Sequence, residues 1–216
     1  MAMAEASFSG KLGPKTPDEV VANFITNVDS IAVNGYQQVC WEPFGLMMRL
    51  YNREMEPGII ELLRKDYPEF CLSCHHGIGR ASYFAWEFFP PVCAAQIDIL
   101  IRDANSVEEA NNILAGFAWA LTLVNVKNPK LVSFLLEDLA IGGRHRDAIS
   151  NGVISALVVA YQSAPGVGYM DDLGKEAERN DGAMWSLIYQ SWKTAKREFQ
   201  SRSELGQIFR FRQDLV

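Results

Sequence analysis

The feature that most limits how this chain can fold is a recurrence. Segments starting at Pro43, Gly77, Gly116, Gly152 and Gly182 resemble one another, and four of the five anchors are glycine. An apolar residue or alanine comes after each anchor (Phe44, Ile78, Phe117, Val153, Ala183), and four residues on stands a mostly small one (Met47, Ala81, Ala120, Ala156, Ser186). The residue before the anchor is polar in four cases: Glu42, His76, Asn151 and Asp181. The anchors lie roughly 30–40 residues apart, the length of a two-helix repeat. Two readings fit this pattern. Each polar residue starts a helix, so that several helix N-termini converge with their free N–H groups. Alternatively, glycine and the small residue one turn later serve only to let helices pack closely.

Period-two alternation is nearly absent, so the chain reads as all-α: helical repeats packed as one compact or ring-like domain over residues 16–216. Residues 1–15, with small side chains and Gly13-Pro14, read as a disordered lead-in. Thr16-Pro17-Asp18-Glu19 is a helix start with a threonine cap and proline in the first turn. Pro43 suits a second helix start, and Glu56-Pro57-Gly58 a stop. Ser106 with Glu109 forms a capping box before a long apolar helix. Helices are expected over 131–139, 147–161 and 181–199, a loop over 164–168, and a last helix over 203–211.

The 216-residue chain is acidic, with net charge −6. That argues against nucleic acid as a partner and, more weakly, against an anionic membrane surface. The longest apolar run, Gly152 to Tyr161, is too short to span a bilayer. The first twenty residues carry Glu5, Lys11, Lys15, Asp18 and Glu19 and no apolar core of a signal peptide, so a cytoplasmic location with reduced thiols is expected. Oligomerisation is left open.

The chemistry concentrates in one stretch. Cys71-x-x-Cys74-His75 matches the covalent haem attachment pattern. The same Cys71, Cys74 and His75 (or His76), completed by Cys40 or Cys93, would suit zinc. The plain alternative is two buried thiols and no cofactor. His76 and Arg80, four apart, share a helix face. A neutral imidazole beside a guanidinium can act as acid or base while the arginine holds an anion. Equally, Arg80 can pair with a structural acid such as Glu42 or Glu87. On the functional reading His76, Arg80, Glu42 and Asp181 are the catalytic candidates. Gly77, Gly79, Tyr83, Trp86, Trp119 and Asn151 are then the candidates for lining a ligand pocket. Aromatic residues at helical spacing serve a core equally well.

One resemblance to a known family emerges from these residues. The run Gly77-Ile78-Gly79-Arg80-Ala81-Ser82-Tyr83-Phe84, the helix from Gly152-Val153 to Ala160-Tyr161, and Gly182-Ala183 resemble a helical family encoded in enediyne and related polyketide clusters of bacteria. The match covers roughly residues 35–210. The cysteines and the doubled histidine stand outside that family's pattern. The resemblance implies a role in specialised metabolism, on a hydrophobic polyketide-like molecule. The expected chemistry is a cofactor-free cyclisation, isomerisation or hydrolysis, or simple binding without turnover.

Overall fold

The computed structural model describes residues 2–8, 16–32, 36–84, 90–139 and 145–201. Among them there is no strand, and the all-α expectation holds. The helices are α1 (Ala2–Phe8), α2 (Pro17–Ile31), α3 (Gln37–Tyr51), α4 (Glu56–Asp66), α5 (Pro68–Phe84), α6 (Pro90–Asp103), α7 (Val107–Asn125), α8 (Pro129–Leu139), α9 (Arg146–Ser163), α10 (Tyr169–Arg179) and α11 (Ala183–Ser201). A short 3-10 turn, Arg53–Met55, precedes α4.

The starts follow local chemistry. Thr16 caps α2 in a full capping box, its hydroxyl accepting from the Glu19 N–H at 3.3 Å while the Glu19 carboxylate accepts from the Thr16 N–H at 2.9 Å. Helices α2, α5, α6 and α8 all begin with proline, which ends the preceding segment and presets the first turn of the helix it opens. Pro43, by contrast, lies inside α3, and Glu56-Pro57-Gly58 opens α4 rather than closing anything. Residues 2–8, inside the stretch read as disordered, form α1. Its Ala4 and Ser7 are buried, and the Phe8 ring stacks on Phe44 at 5.1 Å. Helix α10 is an addition to the expected elements, although Met170, Leu173, Gly174 and Ala177 mark its buried face. The helix expected over 203–211 lies outside the described residues.

Odd-numbered helices form a row in chain order: α3 packs on α5, α5 on α7, α7 on α9 and α9 on α11. Even-numbered helices make a second layer, where α2 meets α4 and α6, α8 and α10 follow one another. Among the described residues no extensive contact joins α3 to α11, so the row is open rather than a ring. Nor does an extensive contact join α4 to α6, which leaves a gap in the second layer over α5 and α7.

The repeat anchors hold the row together. A Cβ on Gly77 would overlap the Glu42 carbonyl, and one on Gly45 the Cys74 carbonyl, so the backbones of α3 and α5 touch. Gly79 meets Ile113, and Gly116 meets the His76 carbonyl and Arg80 N–H, which binds α5 to α7 in the same way. Gly152 meets Ala115 and Trp119 across α7 and α9. Close packing is thus what Gly77, Gly116 and Gly152 do, whereas Gly182, with φ 132°, stands before α11 and touches no other backbone. The expectation of converging helix N-termini is corrected: Glu42, His76 and Asn151 all sit mid-helix, because nothing between Pro68 and Phe84, or at the matching places in α3 and α9, interrupts the helix.

The core has two lobes meeting at α5. Cys71, Cys74, Ile78 and Ala81 belong to the lobe of α1–α5, and Tyr83 to that of α6–α11. No described helix is long and apolar enough to cross a membrane.

Candidate functional site

Neighbouring side chains on an α-helix point about 100° apart. His75 and His76 on α5 therefore face different helices, and each meets a buried glutamate already held by an arginine.

On the α3 side, Glu42 is 1% exposed. The Arg80 Nη1 donates to both its oxygens, at 2.9 and 2.8 Å. His76, with no exposed surface, places Nδ1 3.7 Å from the Glu42 Oε1, outside hydrogen-bond range. The guanidinium lies 4.7 Å from the centroid of the Trp119 ring, a cation–π contact. Burial alone would push the Glu42 carboxyl up. His76 and Arg80 outweigh it and hold the group below the usual carboxylate range. Among the described residues, neither His76 nitrogen nor the Arg80 Nε has a hydrogen-bond partner.

On the α7 side, Glu109 is gripped from α4. Arg64 donates from Nε to Oε1 and from Nη2 to Oε2, both at 2.7 Å, a bidentate fork. The Asn105 N–H adds a bond to Oε2 at 2.8 Å. His75 sets Nε2 3.7 Å from the same Oε2. Its Nδ1 lies 2.9 Å from the Cys71 carbonyl oxygen and 3.5 Å from the Cys71 Sγ. Burial raises the Glu109 carboxyl, but Arg64 and Asn105 win and lower it overall. Burial also pushes the His75 imidazole below its usual value, against the pull of Glu109. Burial and the Glu109 charge push the Cys71 thiol up to about 12. Burial takes Cys74 well above its ordinary value.

Cys71 and His75 lie together, as the sequence suggests, but Cys74 does not join them. Its place is taken by Glu109, whose ligand atom lies with theirs inside a 4.8 Å cluster. Cys74 has no exposed surface, and its backbone is pressed against Gly45 of α3. A thioether there would need porphyrin inside a closed helix seam, so these residues do not fit covalent haem. Cys40, half-buried on α3, donates weakly to the Tyr36 carbonyl at 3.8 Å and is outside that cluster.

The gap between α4 and α6 is a cleft of about 740 Å³. Its floor includes His75, Ile78 and Ile113, and its walls Ile60, Ile99 and Leu100. Charged groups of both signs edge it: Arg49, Arg53, Arg64 and Lys65, with Glu56, Glu61 and Asp103. Arg49 is paired with Glu56 at 3.1 Å and Arg64 with Glu109.

The structure thus unites Glu42, His76, Arg80 and Trp119. Asp181 is exposed beside the start of α11 and is not brought to them. Asn151 is buried in α9. Gly77 and Gly79 face helix backbones, not a ligand. Tyr83 is a core residue whose hydroxyl accepts from the Asn125 side-chain amide at 2.7 Å. Trp86 and Glu87 lie outside the described residues. Arg64 and Glu109 are site residues that the sequence reading does not single out. Glu109 is legible as a cap, and its Ser106 bond is present at 3.1 Å, but an arginine 45 residues away leaves no mark beside it. Compared with protein-family models, curated proteins and solved structures, the chain has no match.

These shifts imply a two-stage loss of stability in acid. His75 has a lowered folded-state pKa, so the unfolded chain binds its proton first. Its contribution is complete above about pH 6.5 and falls away below it. Glu42 and Glu109 are also lowered, so theirs is complete above about pH 4.3 and is lost as pH falls further. Melting temperature measured against pH is expected to decline from about 6.5 and steepen below about 4.3. His75→Gln should remove the first stage and leave the second.

Proposed function

We propose that this chain is a small-molecule-binding protein of the cytoplasm whose hydrophobic ligand occupies the cleft between α4 and α6, over α5 and α7. The single observation that carries this reading is the cleft itself: about 740 Å³, with isoleucine and leucine on floor and walls and charged side chains of both signs beside them, at a break in the second helix layer. Volumes of this order accommodate drug-sized ligands. The resemblance to polyketide-cluster proteins points to the same ligand class and to a role in specialised metabolism. Binding is favoured over turnover because His76, the acid–base candidate, has no exposed surface and lies on the opposite flank of α5.

Decanol and decanoate are suitable probes, with binding measured by titration calorimetry. A buried alkyl chain of this length gains about 0.8 kcal/mol per methylene, some 7 kcal/mol gross. After association costs, a Kd on the order of 0.1–1 mM is expected. Ile99 is 49% exposed, so Ile99→Glu spares the core while setting a charge against the ligand. It should weaken decanol at least tenfold. Absence of binding to the wild type, or undiminished binding to the variant, overturns the proposal.

A further inference from the structure

We propose that Cys71, His75 and Glu109 form a site for a borderline divalent metal ion such as Zn²⁺, with a coordination position open to the cleft. The first argument is the state of His75. Its Nδ1 lies 2.9 Å from the Cys71 carbonyl, which can only accept, so Nδ1 carries a proton. In the neutral ring, Nε2 then presents a lone pair to the Glu109 carboxylate at 3.7 Å. Nε2 and Oε2 are thus two donor atoms that a cation could bridge across the gap. A backbone carbonyl holding the far nitrogen is also the usual support of a metal-binding histidine.

The second argument is reach. With Zn–N and Zn–O bonds of about 2.1 Å, an ion bridging a 3.7 Å gap subtends about 125°, a modest opening of the tetrahedral angle. A water molecule would need a wider gap than this to hydrogen-bond both atoms. Cys71 and His75 are one turn apart on the same helix face, and Sγ, a ring nitrogen of His75 and a Glu109 oxygen lie within 4.8 Å of one another. Cys71 Sγ lies 3.5 Å from the Nδ1 side of the ring, so it would have to swing toward Nε2 to complete the site. The Cys71 proton leaves to solvent as the Zn–S bond forms.

The third argument is the donor set. Thiolate, imidazole and carboxylate suit Zn²⁺ and Co²⁺ and are poor for Mg²⁺ or Ca²⁺. Three protein ligands leave the remaining position for water or a bound molecule. His75 is itself part of the cleft floor, which sets that position toward the cleft. Arg64 is the competing cation. It fills part of the Glu109 coordination, and Oε2 already accepts from both its Nη2 and the Asn105 N–H. Its side chain is 30% exposed and borders the cleft, so the Nη2 bond is the one the ion displaces. The Nε bond to Oε1 remains and orients the carboxylate from behind. The site does not depend on the hydrophobic-ligand reading.

The test uses the full-length chain, stripped with a chelator and titrated with Co²⁺ alone. One equivalent should produce a thiolate-to-cobalt absorption in the near ultraviolet, and Zn²⁺ should abolish it by replacement. Cys71→Ala should lose the band. Should that variant not fold, the triple variant Cys40→Ser, Cys74→Ala, Cys93→Ser isolates Cys71 and should keep the band. No band in the wild type, or its loss in the triple variant with helicity preserved by circular dichroism, overturns the proposal.

Discussion

Gly116→Ala is expected to cost about 3 kcal/mol of unfolding free energy, and Gly116→Val to prevent folding. Overpacking a close-fitted interior usually costs about 1–3 kcal/mol. Here the added methyl meets the His76 carbonyl and the Arg80 N–H, main-chain atoms inside α5 that cannot turn aside as a side chain could. Relief requires α5 and α7 to move apart, which also loosens the Gly79 contact with Ile113. Against a total stability of about 5–15 kcal/mol, that is a large fraction. Urea denaturation followed by circular dichroism measures it. Gly168→Ala is the control. That glycine has φ −81° and nothing within 4 Å of where the methyl would stand, so its substitution should change stability by less than about 0.5 kcal/mol.

The second large effect is expected at Arg80. Arg80→Ala leaves the Glu42 carboxylate buried without its guanidinium, a loss of about 3–5 kcal/mol in pairs of this kind. It also strips the cation from the Trp119 ring. Removing both charges is gentler. The double variant Glu42→Leu, Arg80→Met replaces the pair by apolar volume and should recover most of the loss. A double-mutant cycle in urea checks this, with coupling of at least about 2 kcal/mol expected. A coupling near zero would mean that Arg80 acts through packing alone.

Much of the fold is legible in the sequence because it is written in local chemistry. Thr16 with Glu19 and the prolines at 68, 90 and 129 each act within a few residues of where they stand, and the glycine anchors show by recurring, although they act between helices. Proline nonetheless misleads at Pro43 and Pro57, since its position in a helix depends on whether neighbouring turns hold without its N–H. The pairing of Arg80 with Glu42 is among the readings the sequence allows, because the repeat register aligns Glu42 with His76. The pairing of Arg64 with Glu109 is not. It depends on α4, packed on α5, holding Arg64 within reach of the first turn of α7, a relation that no spacing in the chain encodes. The same applies to the cleft, which arises where no extensive contact joins α4 to α6 among the described residues.

The glycine seams have a mechanical consequence. Where backbone rests on backbone, α5 has no slack to roll toward α3 or α7. A slide along its axis meets the same obstacle, because it would bring the side chains next to Gly77 and Gly79 against the backbones those glycines now touch. The seams therefore pin the register of α5 as well as its roll, and with it the places of His75 beside Glu109 and of His76 beside Glu42.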